Sequence, residues 1–501
     1  MKISANRTKR RTVLLFALSL LTLTAVFSCA ESKKETDTKA DTETVNTADT
    51  QGEEAPSDSL EARKKVSDGV PDLDFEGADY RIYYQKRYTT DAIPLTDSET
   101  GDVLNDAVYR RNKTIEERFN VNIVGMEGEE EQMVTNMINT VAAGDDAWEL
   151  FMGHSMSSGR AALDGYFYNW YDIPYMDFSK PWFPRATIEG LTINDRMYMT
   201  VSDMCLSFVF NTYCMFFNKQ LAADHDIDDV YAMVNDGAWT LDKLSSITKG
   251  MYQDLNGSGT KDTGDLYGFG SASWGLPSWI YACDVDTVEF HDDGTVTSVF
   301  NSERASHMVE QLRTLYYQNE GSYSAAKDVT DSDPMQAFKD GQVLFITEVV
   351  GASEKEFRDV TFDYGIIPYP KYDEAQTAYY NVPGGSISCM AVPASTGNLE
   401  LAGAVTAALC RESWVNVMPV YYDIVLKVKG ARDEVSIEML DMIMNGRNVD
   451  ARFLYDGWNG YTYTITEIIS GKKELSSYIA SKEKSVIKHY EKVLELFYKE
   501  D

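Results

Sequence analysis

Twelve residues from Asp254 to Asp265 have the composition and spacing of an oxygen cage. Asp254, Asn256, Ser258, Asp262 and Asp265 fall at loop positions 1, 3, 5, 9 and 12, Gly259 at position 6 supplies a tight turn, and Thr260 at position 7 offers a backbone carbonyl. A calcium ion needs that set: hard oxygen donors on a loop short enough to curl around it. The spacing predicts a structural Ca2+ site, with Asp265 standing where a longer Glu is usual. The alternative is a solvated Gly/Asp turn between a helix and a strand. Other chemistries are poorly supplied. The five histidines (His154, His225, His291, His307, His489) never fall in an HxxxH or HExxH arrangement, and no CxxC, GxSxG or GxxxxGK[ST] occurs, which removes His-built zinc sites and several hydrolase and nucleotide-binding classes.

The chain is also rich in flat side chains, with 8 Trp, 31 Tyr and 21 Phe. Sugars present apolar ring faces and a rim of hydroxyls, so aromatic platforms joined to a few planar hydrogen-bonding groups make a carbohydrate site. Trp182, Trp274, Trp279, Tyr421 and Trp458 are the candidate platforms. Polar partners are sought at strand C-terminal ends, where α/β sheets place ligand loops. That rule selects Gln85 and Arg87 after a first strand, His154 and Ser155 after a third, and Glu348 after a later one.

These positions rest on an alternating pattern of elements. Tyr80–Tyr84 reads as a strand, Leu104, Val108, Arg111, Ile115 and Phe119 as one helix face, Asn120–Val124 as a second strand, Met133–Val141 as a helix and Trp148–Met152 as a third strand. That rhythm predicts an α/β sheet. Helices are expected over 241–252, 303–317 and 402–411, strands over 342–346 and 362–367, and a closing helix that aligns Ile479, Val486, Tyr490, Val493 and Phe497 on one stripe.

The N-terminus reads as an address. Lys2, Arg7, Lys9, Arg10 and Arg11 precede an apolar run from Val13 to Phe27, the length of a signal-peptide core and short for a membrane span. It closes on Val26-Phe27-Ser28-Cys29, which resembles the lipobox of bacterial lipoproteins and implies cleavage after residue 28 and a lipid on Cys29. Residues 29–72 are mostly small and charged and are expected to form a disordered tether on the outer face of the cytoplasmic membrane. Five cysteines remain (Cys205, Cys214, Cys283, Cys389, Cys410), an odd number, so at least one thiol is free and no disulfide is expected.

Four short signatures follow in order: Tyr213-Cys214-Met215-Phe216-Phe217-Asn218-Lys219, Gly237-Ala238-Trp239-Thr240-Leu241, Ala337-Phe338-Lys339-Asp340-Gly341 and Gly365-Ile366-Ile367-Pro368-Tyr369-Pro370. In that order they resemble the extracellular solute-binding proteins of carbohydrate ABC transporters, the broad group that includes the maltose-binding protein. The resemblance runs from about Leu73 to the C-terminus. It implies a type II periplasmic-binding-protein-like α/β fold of two lobes joined by a hinge, with discontinuous domains: 73–201 plus 343–378 in one lobe, 202–342 plus 379–501 in the other. It further implies a monomer that captures a sugar or oligosaccharide between the lobes, delivers it to an ABC permease in the membrane, and catalyses nothing. On this reading Trp274 and Trp279 occupy a second-lobe loop facing the cleft.

Composition is compatible with that role. The formal charge is -33, the wrong sign for a nucleic-acid partner or an anionic bilayer surface. Two rivals stand beside it: a surface glycoside hydrolase, which needs two carboxylates about 5 to 9.5 Å apart, and the same fold used for a peptide or polyamine.

Overall fold

Glu76 and Gly77, both at positive φ, turn the chain into the first strand. The computed structural model describes residues 59–86, 95–324 and 329–499; the signal segment, Cys29 and Arg87 lie outside the described residues. Strands run in chain order as β1 (Ala78–Lys86), β2 (Val121–Glu129), β3 (Leu150–His154), β4 (Tyr213–Asn218), β5 (Tyr267–Ser271), β6 (Val288–Phe290), β7 (Val296–Ser298), β8 (Ser322–Ser324), β9 (Val343–Val349), β10 (Tyr364–Ile367) and β11 (Ser388–Ala391). They form two main sheets, ordered β11-β3-β1-β2 and β10-β4-β9-β5-β8, plus the hairpin β6-β7.

The first sheet grows from local signals. Tyr80 and Ile82 are fully buried on one face of β1. The helix Val103–Phe119 is capped by Asp102, whose carboxylate accepts from Leu104 and Asn105, and is ended by Asn120 in the left-handed region. That stop feeds β2 directly, parallel to β1 with Ala78 opposite Val121. β3 is buried along all five residues, as a strand between β1 and β11 must be.

The second sheet is mixed: β4 runs antiparallel to β9 and β10, while β5 and β8 run parallel to β9. Strands β9 and β10 therefore belong with β4 and β5, and β11 belongs with β1 and β3. This reverses the expected assignment of 343–378 to the first lobe and of 379–501, at least through β11, to the second. Burial decides it. Phe345 of β9 packs against Trp239 and Phe217, with ring centroids 5.2 and 6.1 Å apart, and Met390 of β11 pairs with Met152 of β3. The helix Leu399–Glu412 then covers the first sheet, where Thr406 Oγ1 meets Tyr80 Oη at 2.6 Å.

Two chain passages join strands of the two main sheets, from β3 to β4 and from β10 to β11. Thr212 bridges Pro383 antiparallel, and Asn381 bridges Arg447. Tyr213 N donates to Val382 O at 3.1 Å and Gly384 N to Asn211 O at 2.9 Å, so outgoing and returning chains lie side by side.

The tether ends sooner than expected. A helix over Leu60–Lys65 is followed by contacts to the folded body: Arg411 donates to Lys64 O and Val66 O, Val70 is buried, and Asp68 Oδ1 accepts from Val70 N while its carboxylate pairs with Arg118. An apolar residue and a charge partner anchor this stretch, which composition alone had marked as too polar to order. Asp68→Ala is expected to cost about 1–3 kcal/mol, the range for removing a buried charged acceptor. Urea unfolding that shows no loss would mean the segment contributes nothing to the fold.

Candidate functional site

The C-terminal ends of β1, β2 and β3 and the start of β11 share one edge of the first sheet, because β11 enters with Ser388 opposite His154. The ends of β5, β8 and β9 and the start of β4 share one edge of the second, with Ser271 opposite both Thr347 and Ser324 and Tyr213 opposite Val349. The crossover residues Asn211–Tyr213 and Val382–Ser386 run between these two edges. The site is the surface they floor.

Its two glycines show how closely the walls approach. A Cβ on Gly385 would lie 2.5 Å from Tyr463 Oη and 2.9 Å from Met156 Cγ, and one on Gly384 3.1 Å from the Tyr213 ring. Ser155 Oγ donates to Gly385 O at 2.8 Å, and Ser155 N to Ile387 O at 2.9 Å. The first-lobe wall is thus stitched to the crossover. On the other side, a Cβ on Gly275 would lie 3.1 Å from Tyr369 Oη and 3.4 Å from the Tyr213 ring, and the Tyr213 and Tyr369 rings meet edge to face at 6.4 Å. Trp274, next to Gly275, is 63% exposed. Its short 3-10 turn is pinned by Asp331, which accepts from Ser273 N at 2.6 Å and Ser273 Oγ at 2.7 Å. Trp458 packs on Tyr463 with ring centroids 4.1 Å apart. A run of aromatic surface therefore passes from Trp458 through Tyr463, over the paired glycines, to Tyr213 and Trp274.

The other expected platforms are core. Trp279 is fully buried, donates Nε1 to Tyr316 Oη at 2.8 Å and packs on Tyr369 at 4.7 Å. Tyr316 in turn meets Ser271 Oγ at 3.0 Å, and Thr347 Oγ1 donates to Ser271 Oγ at 2.8 Å. This network holds the ends of β5 and β9 from beneath. Trp182 packs against Trp414 and Phe183, and Tyr421 is buried in the π-helix Val420–Gly430. None of the three presents a ring face to a ligand.

The polar candidates divide. Gln85 is 4% exposed at the site end of β1, and neither end of its amide has a partner among the described residues. A buried, unpaired amide is costly. His154 and Ser155 are where strand-end logic put them, but they serve the fold. His154 Nδ1 accepts from Ser157 N at 3.4 Å as a helix cap, and Ser155 holds the crossover. Glu348, half-buried opposite Cys214, accepts from Val349 N at 3.1 Å. Tyr213, Tyr463 and the glycine pair were not anticipated; Pro383-Gly384-Gly385-Ser386 is the turn-rich signal that marks this crossover.

The 254–265 loop curls as its spacing requires, with Gly257 and Gly259 at positive φ. Asp254 accepts from the backbone N–H groups of Gly257, Ser258 and Gly259. Asn256 Nδ2 donates to both Asp262 oxygens, which holds the Asp262 carboxyl below its usual range. Ser258 Oγ donates to Thr260 O at 2.8 Å, and buried Asp265 accepts from Leu255 N and Tyr252 Oη. The donors are close together but answer to the loop's own N–H and O–H groups. Among the described residues, no group of three or more His, Cys, Asp or Glu is arranged to hold a metal ion.

Burial pushes the Glu348 carboxyl up from 4.5 to about 7, against the Val349 hydrogen bond and with Glu356 and Asp331 adding repulsion. The unfolded chain releases this proton near pH 4.5, so the folded protein holds the extra proton between pH 4.5 and 7. Stability should fall as pH rises through that window, by up to about 3 kcal/mol, and level off above it. Urea unfolding of Glu348→Gln from pH 5 to pH 8 is expected to lose that part of the slope. An unchanged slope would show that the carboxyl titrates normally.

Comparison with known proteins gives one family and a consistent set of folds. Residues 112–412 match the model of the family described as bacterial extracellular solute-binding protein. The structure is similar to the cyclic alpha-maltosyl-1,6-maltose binding protein from Arthrobacter globiformis, with a TM-score of 0.57 and 14% identity over 83% of this chain and 99% of that one. It is also similar to an ABC substrate-binding protein from Listeria monocytogenes in complex with cycloalternan (TM-score 0.52, 13% identity, 84% and 98% coverage). A third is a maltose/maltodextrin-binding domain from Bdellovibrio bacteriovorus bound to maltotriose (0.50, 14%, 83% and 99%). At these identities the likeness establishes the two-lobed fold. No curated protein sequence matches the chain.

Proposed function

The chain belongs to the bacterial extracellular solute-binding protein family, a family of binding proteins that work outside the cytoplasm, and from that premise we propose that it captures a sugar or oligosaccharide between its lobes for an ABC permease. The observation that carries the reading is the aromatic run from Trp458 and Tyr463 to Tyr213 and Trp274 across the crossover. Exposed indoles there offer stacking faces for sugar rings. Cycloalternan and maltotriose, the solutes named for two of the similar structures, are carbohydrates and favour the same ligand class. We further propose that the protein acts as a lipid-anchored monomer, held at Cys29, and that it leaves its ligand chemically intact.

A thermal-shift screen against mono- and oligosaccharides tests this. Ligand at about 100 times its Kd should add about 2.7 kcal/mol of stability. Trp274→Ala and Trp458→Ala should each weaken binding by about tenfold, the loss of one good aromatic contact of about 1.4 kcal/mol. Their melting temperatures should stay near that of the parent, because both side chains are exposed. A shift with polyamines or peptides and none with glycans would overturn the sugar reading and keep the fold.

A separate proposal is that Ca2+ binds the 254–265 loop and stiffens it. The supporting feature is the set of oxygens on Asp254, Asn256, Ser258, Asp262 and Asp265 with the Thr260 carbonyl. Binding would require the Asn256 amide to turn away from Asp262. Calcium added after chelator treatment should raise the melting temperature, and Asp254→Ala should remove the rise. No heat in a calcium titration and no thermal shift would leave the loop as a self-capped turn.

A further inference from the structure

Trp458 is held in a costly state. Its φ of 67° lies in the left-handed region, which is an outlier for a bulky side chain, and its indole is 57% exposed. The backbone around it is over-determined by Asp456, which is 1% exposed and accepts from Trp458 N at 3.2 Å through Oδ1 and from Thr462 N at 3.1 Å through Oδ2. The strained backbone holds the indole against Tyr463 while leaving most of it exposed, and strain kept at an exposed aromatic is found at ligand clamps.

Beyond this residue a second concavity opens. A groove of about 850 Å³ runs between the 458–464 loop and the C-terminal helix Leu475–Tyr498. Trp458 and Tyr463 form its threshold, and its far wall is polar: Lys482, Ser485 and Lys488 on the helix face Thr464 and Glu467. The helix turns its apolar stripe inward, with Ile479, Val486, Tyr490 and Val493 buried, while Tyr478 and the polar residues border the groove. Tyr463 borders both the groove and the interlobe floor: it lines the groove, and its hydroxyl lies where a Cβ on Gly385 would be 2.5 Å away.

We propose that this groove is an outer binding track. The protein then takes an oligosaccharide longer than the interlobe site alone holds, with outer units stacked on Trp458 and running along the C-terminal helix between Lys482 and Lys488. The chemistry favours a glycan over other chains. An aromatic step followed by ammonium, hydroxyl and carboxylate groups alternates as a sugar does between ring face and hydroxyl rim, whereas a peptide strand asks for a sheet edge or an apolar groove and an acyl chain asks for apolar walls. The inference rests on the sugar reading above and extends it in length.

Calorimetric titration with ladders of α-linked and β-linked gluco-oligosaccharides of two to seven units separates the two. In the parent protein, affinity for one ladder should rise by about tenfold between three and six units. The double variant Lys482→Ala/Lys488→Ala, at two exposed helix positions, should lose that rise and keep its trisaccharide Kd within about twofold. Equal affinity at every length in the parent, or an undiminished rise in the double variant, would overturn the outer track and leave the interlobe sugar site standing. Binding of neither ladder at any length would overturn both.

Discussion

The pairing of two crossover strands is the constraint on which the rest of the molecule depends. Thr212 and Pro383 bridge antiparallel where the chain leaves the first sheet and where it returns. Each sheet alone is an ordinary mixed α/β layer that buries its faces under helices. Only because the outgoing and returning segments run side by side do the two sheet edges open onto the same floor. Ser155 fixes one edge to that floor through Gly385 O, and Tyr213 begins the second sheet within two residues of Asn211, whose carbonyl holds Gly384. The absence of a Cβ at Gly384 and Gly385 is what lets Tyr213 and Tyr463 approach from opposite sides.

Rigidity beneath the second edge comes from a buried polar network, Trp279–Tyr316–Ser271–Thr347, all four members of which are nearly or fully buried. Such a network has its value only when each polar atom is partnered, since a partly satisfied one would cost more than an apolar core. Here the indole N–H and the hydroxyls all find one another. The result is a stiff support under Gly275, so that Trp274 projects from a fixed base although its own side chain is exposed.

What was legible in the sequence follows from how local each signal is. The stripe from Ile479 to Phe497 holds, because helical periodicity is decided within a few residues. The sheet to which β9 belongs was not legible. Val343–Ile346 is apolar throughout, a run that any buried strand can show, and its partner β4 lies more than a hundred residues away. Strand-end logic located His154 and Ser155 at the right edge but could not foresee that their polar atoms are spent on a helix cap and a crossover. Trp182, Trp279 and Tyr421 illustrate the same limit: a large aromatic is equally suited to core and to platform, and only tertiary burial tells them apart.

Three local costs stand out among the described residues. The Gln85 amide is buried without a partner among the described residues, the Glu348 carboxyl is pushed upward by burial, and Trp458 is strained and exposed. Buried polar atoms without a partner also occur away from the sheet edges, at Thr187 Oγ1 in the helix Arg185–Leu191 and Gln311 Oε1 in the helix Glu303–Arg313. Of the three, Trp458 is the one exposed to solvent, and what it offers is a ring face. A sugar, apolar on its ring face and polar at its hydroxyl rim, is matched to such a platform.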